Sequence, residues 1–132
     1  DPAGTWIEAG VDLATDVTLL PGVRLQGATS IAAGALVGPD STLRSVEVGV
    51  GATVSYTCAE LAVVAEGAEA GPFARLRPGA EIGAGATVGR FVEIRNAVVG
   101  EGAVIGANSV IAADVAAGVR IKPGTVLAPR QV

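Results

Sequence analysis

A large aliphatic residue returns at nearly every sixth position of this chain, and that period excludes most folds. From Val64 the sequence divides into VAEGAE, AGPFAR, LRPGAE, IGAGAT and VGRFVE; from Val99 into VGEGAV and IGANSV; from Val115 into VAAGVR, IKPGTV and LAPRQV. The fourth residue of a unit is usually Gly, Asn or Asp: Gly34, Asp40, Gly51, Gly67, Gly79, Gly85, Gly102, Asn108, Gly118 and Gly124. These residue types tolerate positive φ, so each marks a corner. The fifth is usually small (Ala35, Ser41, Ala52, Ala68, Ala80, Ala86, Ser109), as a chain turning inside a tight coil requires. An α-helix needs a 3.6-residue period and few glycines. A sandwich needs longer strands with strict alternation. Short strands joined by corners at a fixed period describe a solenoid.

Three six-residue units make the three sides of a triangular coil. Coil openings fall at Val11, Ile31, Val48, Val64, Ile82, Val99 and Val115, with steps of 20, 17, 16, 18, 17 and 16 residues, so seven coils are expected with slack at one corner. The units before Val64 are looser and are framed as VDLATD, VTLLPG, VRLQGA, IAAGAL, VGPDST, LRSVE, VGVGAT and VSYTCA. Stacked at the spacing of paired strands, seven coils give a prism roughly 30–35 Å tall. The expected organisation is a single all-β domain, a parallel β-helix over residues 11–132 with residues 1–10 as an N-terminal cap or linker. Pro129, Arg130 and Gln131 make the last strand a poor template for further pairing.

Composition narrows the function. The 132 residues carry a net charge of −4, against the basic face that nucleic acid requires. Charged residues or glycines interrupt every apolar run well short of a membrane span, and no signal peptide is apparent. A lone cysteine, Cys58, makes no internal disulfide, which points to a cytoplasmic origin. There is no histidine, so the commonest general base and the commonest metal ligand are both missing. There is no methionine either, which suggests an excised, processed or engineered chain.

Two arginines stand out within GPFARLRPGAEIGAGATVGRFVEIRN, residues 71–96. Arg77 and Arg95 lie 18 residues apart, after Leu76 and Ile94, the first residues of equivalent sides in successive coils. They should stack about 5 Å apart between Cα atoms, where like charges repel unless an anion or an acid lies between them. A phosphate held by two guanidinium groups satisfies both. A plain charge ladder accounts for the pair equally: Arg75 and Glu93 are also 18 apart and would pair across coils, with Glu81 and Arg90 nearby.

The hexapeptide pattern resembles the left-handed parallel β-helix of bacterial acyltransferases, and the hand is taken from that resemblance. GPFARLRPGAEIG followed by VGRFVEIRNA resembles the bifunctional UDP-N-acetylglucosamine pyrophosphorylase/glucosamine-1-phosphate acetyltransferase (GlmU) family, and DPAGTWIEAGV resembles the entry into that family's β-helix. The likeness runs from Asp1 to about Gly100 and then becomes generic. It implies that Arg77 and Arg95 bind a phosphosugar, Arg95 standing where the family commonly has lysine. It also implies a homotrimer. The family's catalytic histidine segment and the loop that follows are absent, as is its nucleotidyltransferase domain. These departures, with the high alanine content, suit a shortened or engineered version of the acetyltransferase domain.

Other residues have bland readings. Cys58 falls at the small, inward fifth position of its unit and reads as core filler. Tyr56 is a weak base and reads as a partly buried corner aromatic. Phe73 and Phe91 take corner positions one coil apart, where stacked rings suit a subunit contact or a local outer cluster. Asn108 is explained by its corner and Lys122 by an exposed face. A zinc site of the three-histidine type is excluded. Thr42, Thr53 and Thr87 do not occupy successive coils as an ice-binding ladder would. The expected function is therefore a catalytically silent, trimeric assembly module without cofactor. The alternative is an acetyltransferase-type domain that binds acetyl-CoA and a phosphosugar or UDP-N-acetylglucosamine between subunits, with Arg77 and Arg95 as the anion clamp.

Overall fold

The computed structural model describes residues 4–129, which form 21 strands of two or three residues and, among the described residues, no helix. Every pairing is parallel. The first sheet contains β1 (Trp6–Ile7), β4 (Arg24–Gln26), β7 (Thr42–Arg44), β10 (Cys58–Glu60), β13 (Arg75–Leu76), β16 (Glu93–Ile94), β19 (Val110–Ile111) and β21 (Val126–Leu127). The second contains β2 (Asp12–Leu13), β5 (Ser30–Ile31), β8 (Glu47–Val48), β11 (Val63–Val64), β14 (Glu81–Ile82) and β17 (Val98–Val99). The third contains β3 (Thr18–Leu19), β6 (Leu36–Val37), β9 (Thr53–Val54), β12 (Glu69–Ala70), β15 (Thr87–Val88), β18 (Val104–Ile105) and β20 (Arg120–Ile121). The chain visits the sheets in rotation, making a single-stranded parallel β-solenoid of about seven turns.

Alternation along each strand sends one side chain inward and its neighbours outward. The inward columns are Leu25, Leu43, Ala59, Leu76, Ile94 and Ile111 on the first sheet, Ile31, Val48, Val64, Ile82 and Val99 on the second, and Val37, Val54, Ala70, Val88 and Ile105 on the third, all within the buried core. The small fifth-position residues are buried beside them. Buried hydroxyls there are bonded: Ser41 Oγ accepts from the Thr57 amide at 3.1 Å, and Thr29 Oγ1 donates to the Gln26 carbonyl at 2.8 Å. All ten residues expected at corners have positive φ, from 55° at Asp40 to 86° at Gly79.

Two framings need correction. The first coil opens at Leu13, not Val11, because Leu13 pairs with Ile31. Val11, Val17 and Val23 occupy fifth positions, usually held by smaller residues. Positions five and one both point inward, two residues apart, so a Val-x-Leu pair can be framed either way from sequence. Cys58 is exposed, not core filler; Thr57 and Ala59 on either side of it are buried. The unit from Val54 to Ala59 has five residues, with its corner at Tyr56 (φ 45°), and one missing residue exchanges the inward and outward sets of side chains. The slack expected at one corner thus occurs at two: before β10, and at the corner between the first and second sheets.

Within the segment expected to cap the helix, β1 pairs with β4 at the end of the first sheet, and Arg24 lies over the Trp6 ring at 6.0 Å. Residues 1–3, Arg130 and Gln131 lie outside the described residues. No helix among those described is long and apolar enough to cross a membrane.

Candidate functional site

The outward face of the first sheet carries Arg24, Arg44, Arg75, Arg77 and Arg95, five of the chain's nine lysines and arginines. Arg77 and Arg95 follow β13 and β16, whose register pairs Leu76 with Ile94. The Arg77 amide donates to the Ile94 carbonyl and the Arg95 amide to the Ile111 carbonyl, both at 2.8 Å, which fixes the two backbones one coil apart. Pro78 and Gly79 turn the chain immediately after Arg77. A Cβ on Gly79 would lie 2.5 Å from Asn96 Oδ1, so glycine lets Asn96 sit close beneath that corner. Arg77, Pro78, Arg95 and Asn96 line an open depression of about 470 Å³. The two arginines singled out by spacing therefore share one concavity.

The charge ladder is arranged differently from the expected one. Arg75 and Glu93 are register partners, yet Glu93 makes its ion pair with Arg95, two residues along its own strand. Residues i and i+2 of a strand share a face, so Arg95 can lean back onto Glu93 although the register partner Arg75 is nearer at the backbone. Among the described residues this is the single ion pair. With 58% of the Arg95 side chain exposed, it contributes little stability. Arg44, Arg75 and Arg77 have no acidic partner among the described residues.

A second depression, of about 230 Å³, lies on the other side of Arg77 and Pro78, where Arg44, Arg75, Cys58 and Glu60 also line it. Sequence reasoning passed over Arg44. The signal was present: Arg44 follows Leu43 as Arg77 follows Leu76, but the intervening coil carries Glu60 at that position and breaks the repetition.

At the corner between the third and first sheets, Tyr56, Phe73 and Phe91 form an outer aromatic column. Ring centroids are 5.1 Å apart for Tyr56–Phe73 and 5.5 Å for Phe73–Phe91, the latter pair nearly parallel at 9°. All three have positive φ and remain exposed. Tyr56 thus extends the two-ring stack that spacing implied. No group of three or more potential metal ligands occurs among the described residues.

This architecture is the left-handed β-helix of hexapeptide-repeat acyltransferases. A hexapeptide transferase family protein from Anaplasma phagocytophilum superposes with a TM-score of 0.63 over 92% of this chain and 72% of its own, at 21% identity. The acetyltransferase domain of PglB from Neisseria gonorrhoeae gives 0.54 over 83% and 53%, at 26% identity. In sequence, 77 residues, 58% of the chain, are 64% identical to the bifunctional protein GlmU of Kineococcus radiotolerans and 57% identical to that of Clavibacter sepedonicus. The match covers only 16% of the length of either relative. No protein-family model matches the chain. The chain is accordingly a hexapeptide β-helix with partial homology to the C-terminal region of GlmU proteins.

Proposed function

We propose that the chain is a catalytically silent β-helix module that self-associates as a homotrimer. One observation carries the silence: the depression shared by Arg77 and Arg95 offers no proton acceptor. Its other lining residues are Pro78 and Asn96, the neighbouring Glu93 carboxylate is engaged by Arg95, and the sequence contains no histidine. Acetyl transfer to an amine needs a base within hydrogen-bond reach of the attacking nitrogen. Incubation with acetyl-CoA and glucosamine 1-phosphate should release CoA thiol no faster than the protein-free mixture. Saturable release that falls in Arg77→Ala would overturn the reading.

Self-association is supported by the separation of charge between two sides of the prism. The first sheet presents five arginines against the two carboxylates of Glu60 and Glu93 on its strands. The second presents Asp12, Glu47 and Glu81 with no lysine or arginine on its strands, and Glu66 and Glu101 lie at its corner with the third sheet. Opposite charge on two different faces favours a head-to-tail contact, which closes into a ring when the rotation allows. Leu61, exposed at the corner where the first two sheets meet, adds apolar surface at that edge.

The second reading is an acetyltransferase-type domain that binds acetyl-CoA and a phosphosugar between subunits, and the convergence of Arg77 and Arg95 on one concavity favours its binding half. Calorimetric titration with UDP-N-acetylglucosamine should show binding that disappears in Arg77→Ala/Arg95→Ala. Absence of binding at millimolar ligand would leave the arginines as surface charge.

A further inference from the structure

We propose that the depression formed by Arg44, Arg75 and Arg77 is a second anion subsite, so that the first sheet accepts a diphosphate ester in preference to a monophosphate. This rests on the reading of Arg77 and Arg95 as a phosphate clamp. The two depressions adjoin and share Arg77 and Pro78 as a common wall. Arg75 and Arg77 project from one face of β13 and its continuation, and Arg44 comes from β7, two strands away across β10. Neighbouring strands lie about 4.8 Å apart, so these long side chains span a cleft of roughly 10 Å at the backbone.

Three guanidinium groups lining one concavity repel one another, and among the described residues none has an acidic partner. Glu60 is the only carboxylate in the lining and offsets one of the three charges. Thr42, also in the lining, supplies a hydroxyl donor. A single phosphate between Arg77 and Arg95 would leave Arg44 and Arg75 unused. A second phosphate joined to it would reach them, with Arg77 donating to both groups through its fork of N–H donors.

Cys58 provides a local reporter. It is the only cysteine in the chain, it is exposed, and it lies in this depression but not in the other. The full chain would be titrated calorimetrically with inorganic pyrophosphate and inorganic phosphate, and Cys58 alkylation by iodoacetamide followed by mass at saturating concentrations of each. The expected result is pyrophosphate binding at least tenfold tighter than phosphate, with alkylation slowed severalfold by pyrophosphate and unchanged by phosphate. Arg44→Ala/Arg75→Ala should reduce pyrophosphate affinity to that of phosphate and leave phosphate binding unchanged. Arg90→Ala/Arg120→Ala, an equal loss of charge elsewhere, should preserve the preference. Equal affinities, a preference that survives Arg44→Ala/Arg75→Ala, or pyrophosphate binding without protection of Cys58 would overturn the subsite. Phosphate binding that persists in Arg77→Ala/Arg95→Ala would instead overturn the clamp reading. Phosphate binding lost in that variant, with no gain for pyrophosphate in the parent chain, would leave the clamp standing without the subsite.

Discussion

Phe73 and Phe91 hold a backbone conformation that is sterically costly for any side chain, yet both replace the small residues found at most other corners. Their compensation is the column: Phe73 stacks on Tyr56 and on Phe91, whereas Phe91 stacks on Phe73 alone. Each aromatic pair contributes about 0.5–1.5 kcal/mol beyond the area buried. Phe73→Ala should therefore destabilise the fold about twice as much as Phe91→Ala, measured by urea denaturation; equal losses would show that the stack contributes nothing. Gly85 isolates the conformational cost, because its φ is 66° and a Cβ there meets nothing within 4 Å. Gly85→Ala should lose about 1–2 kcal/mol and Gly85→Asn less. These corners were legible in the sequence because positive φ is a property of the residue and its immediate backbone, independent of what packs around it. Cys58 was not legible in the same way. Its side depends on the length of the preceding unit, which only pairing with neighbouring coils defines.

The two- and three-residue strands hold register only through their stacked neighbours, so where a unit gains or loses a residue matters more than which residue it is. Units of four, five and six residues all occur, as Ile111 to Val115, Val54 to Ala59 and Leu76 to Ile82 illustrate. One glycine inserted after Ser55 should therefore cost less than about 1 kcal/mol, within the range of a tolerated surface change. One residue inserted between Glu93 and Ile94 would turn Ile94 outward and should cost about 2–5 kcal/mol, the range for removing a large core side chain. Paired denaturation curves separate the two cases, and similar losses would contradict this account of register. At this scale the sequence gives the position of the arginines well and their partners poorly. Register placed Arg77 beside Arg95 because the coil containing Arg77 keeps its full length. The Arg75–Glu93 pairing failed because register aligns backbones without deciding which way a long side chain leans.

Across the whole molecule, the core is continuous in the middle and open at both ends. Val11, Val17 and Leu19 at one end, and Ile121 and Leu127 at the other, are only partly buried, while the inward columns between them are closed. A solenoid whose coils contact only their neighbours loses order from its ends. Hydrogen exchange should find the greatest protection near Val64 and Ile82 and progressively less toward β2 and β21; uniform protection would contradict a one-dimensional stack. The solenoid itself follows from the six-residue period. Association between copies depends on surface charge and exposed corners, on which the period places no constraint. The sides rich in arginine and in carboxylate nevertheless leave each copy with two unlike, complementary faces. The most direct test of an assembly module is its mass by sedimentation velocity at low ionic strength. The account predicts a species of three times the 12.9 kDa chain mass that weakens as salt rises. A single-chain mass at micromolar concentration would contradict it.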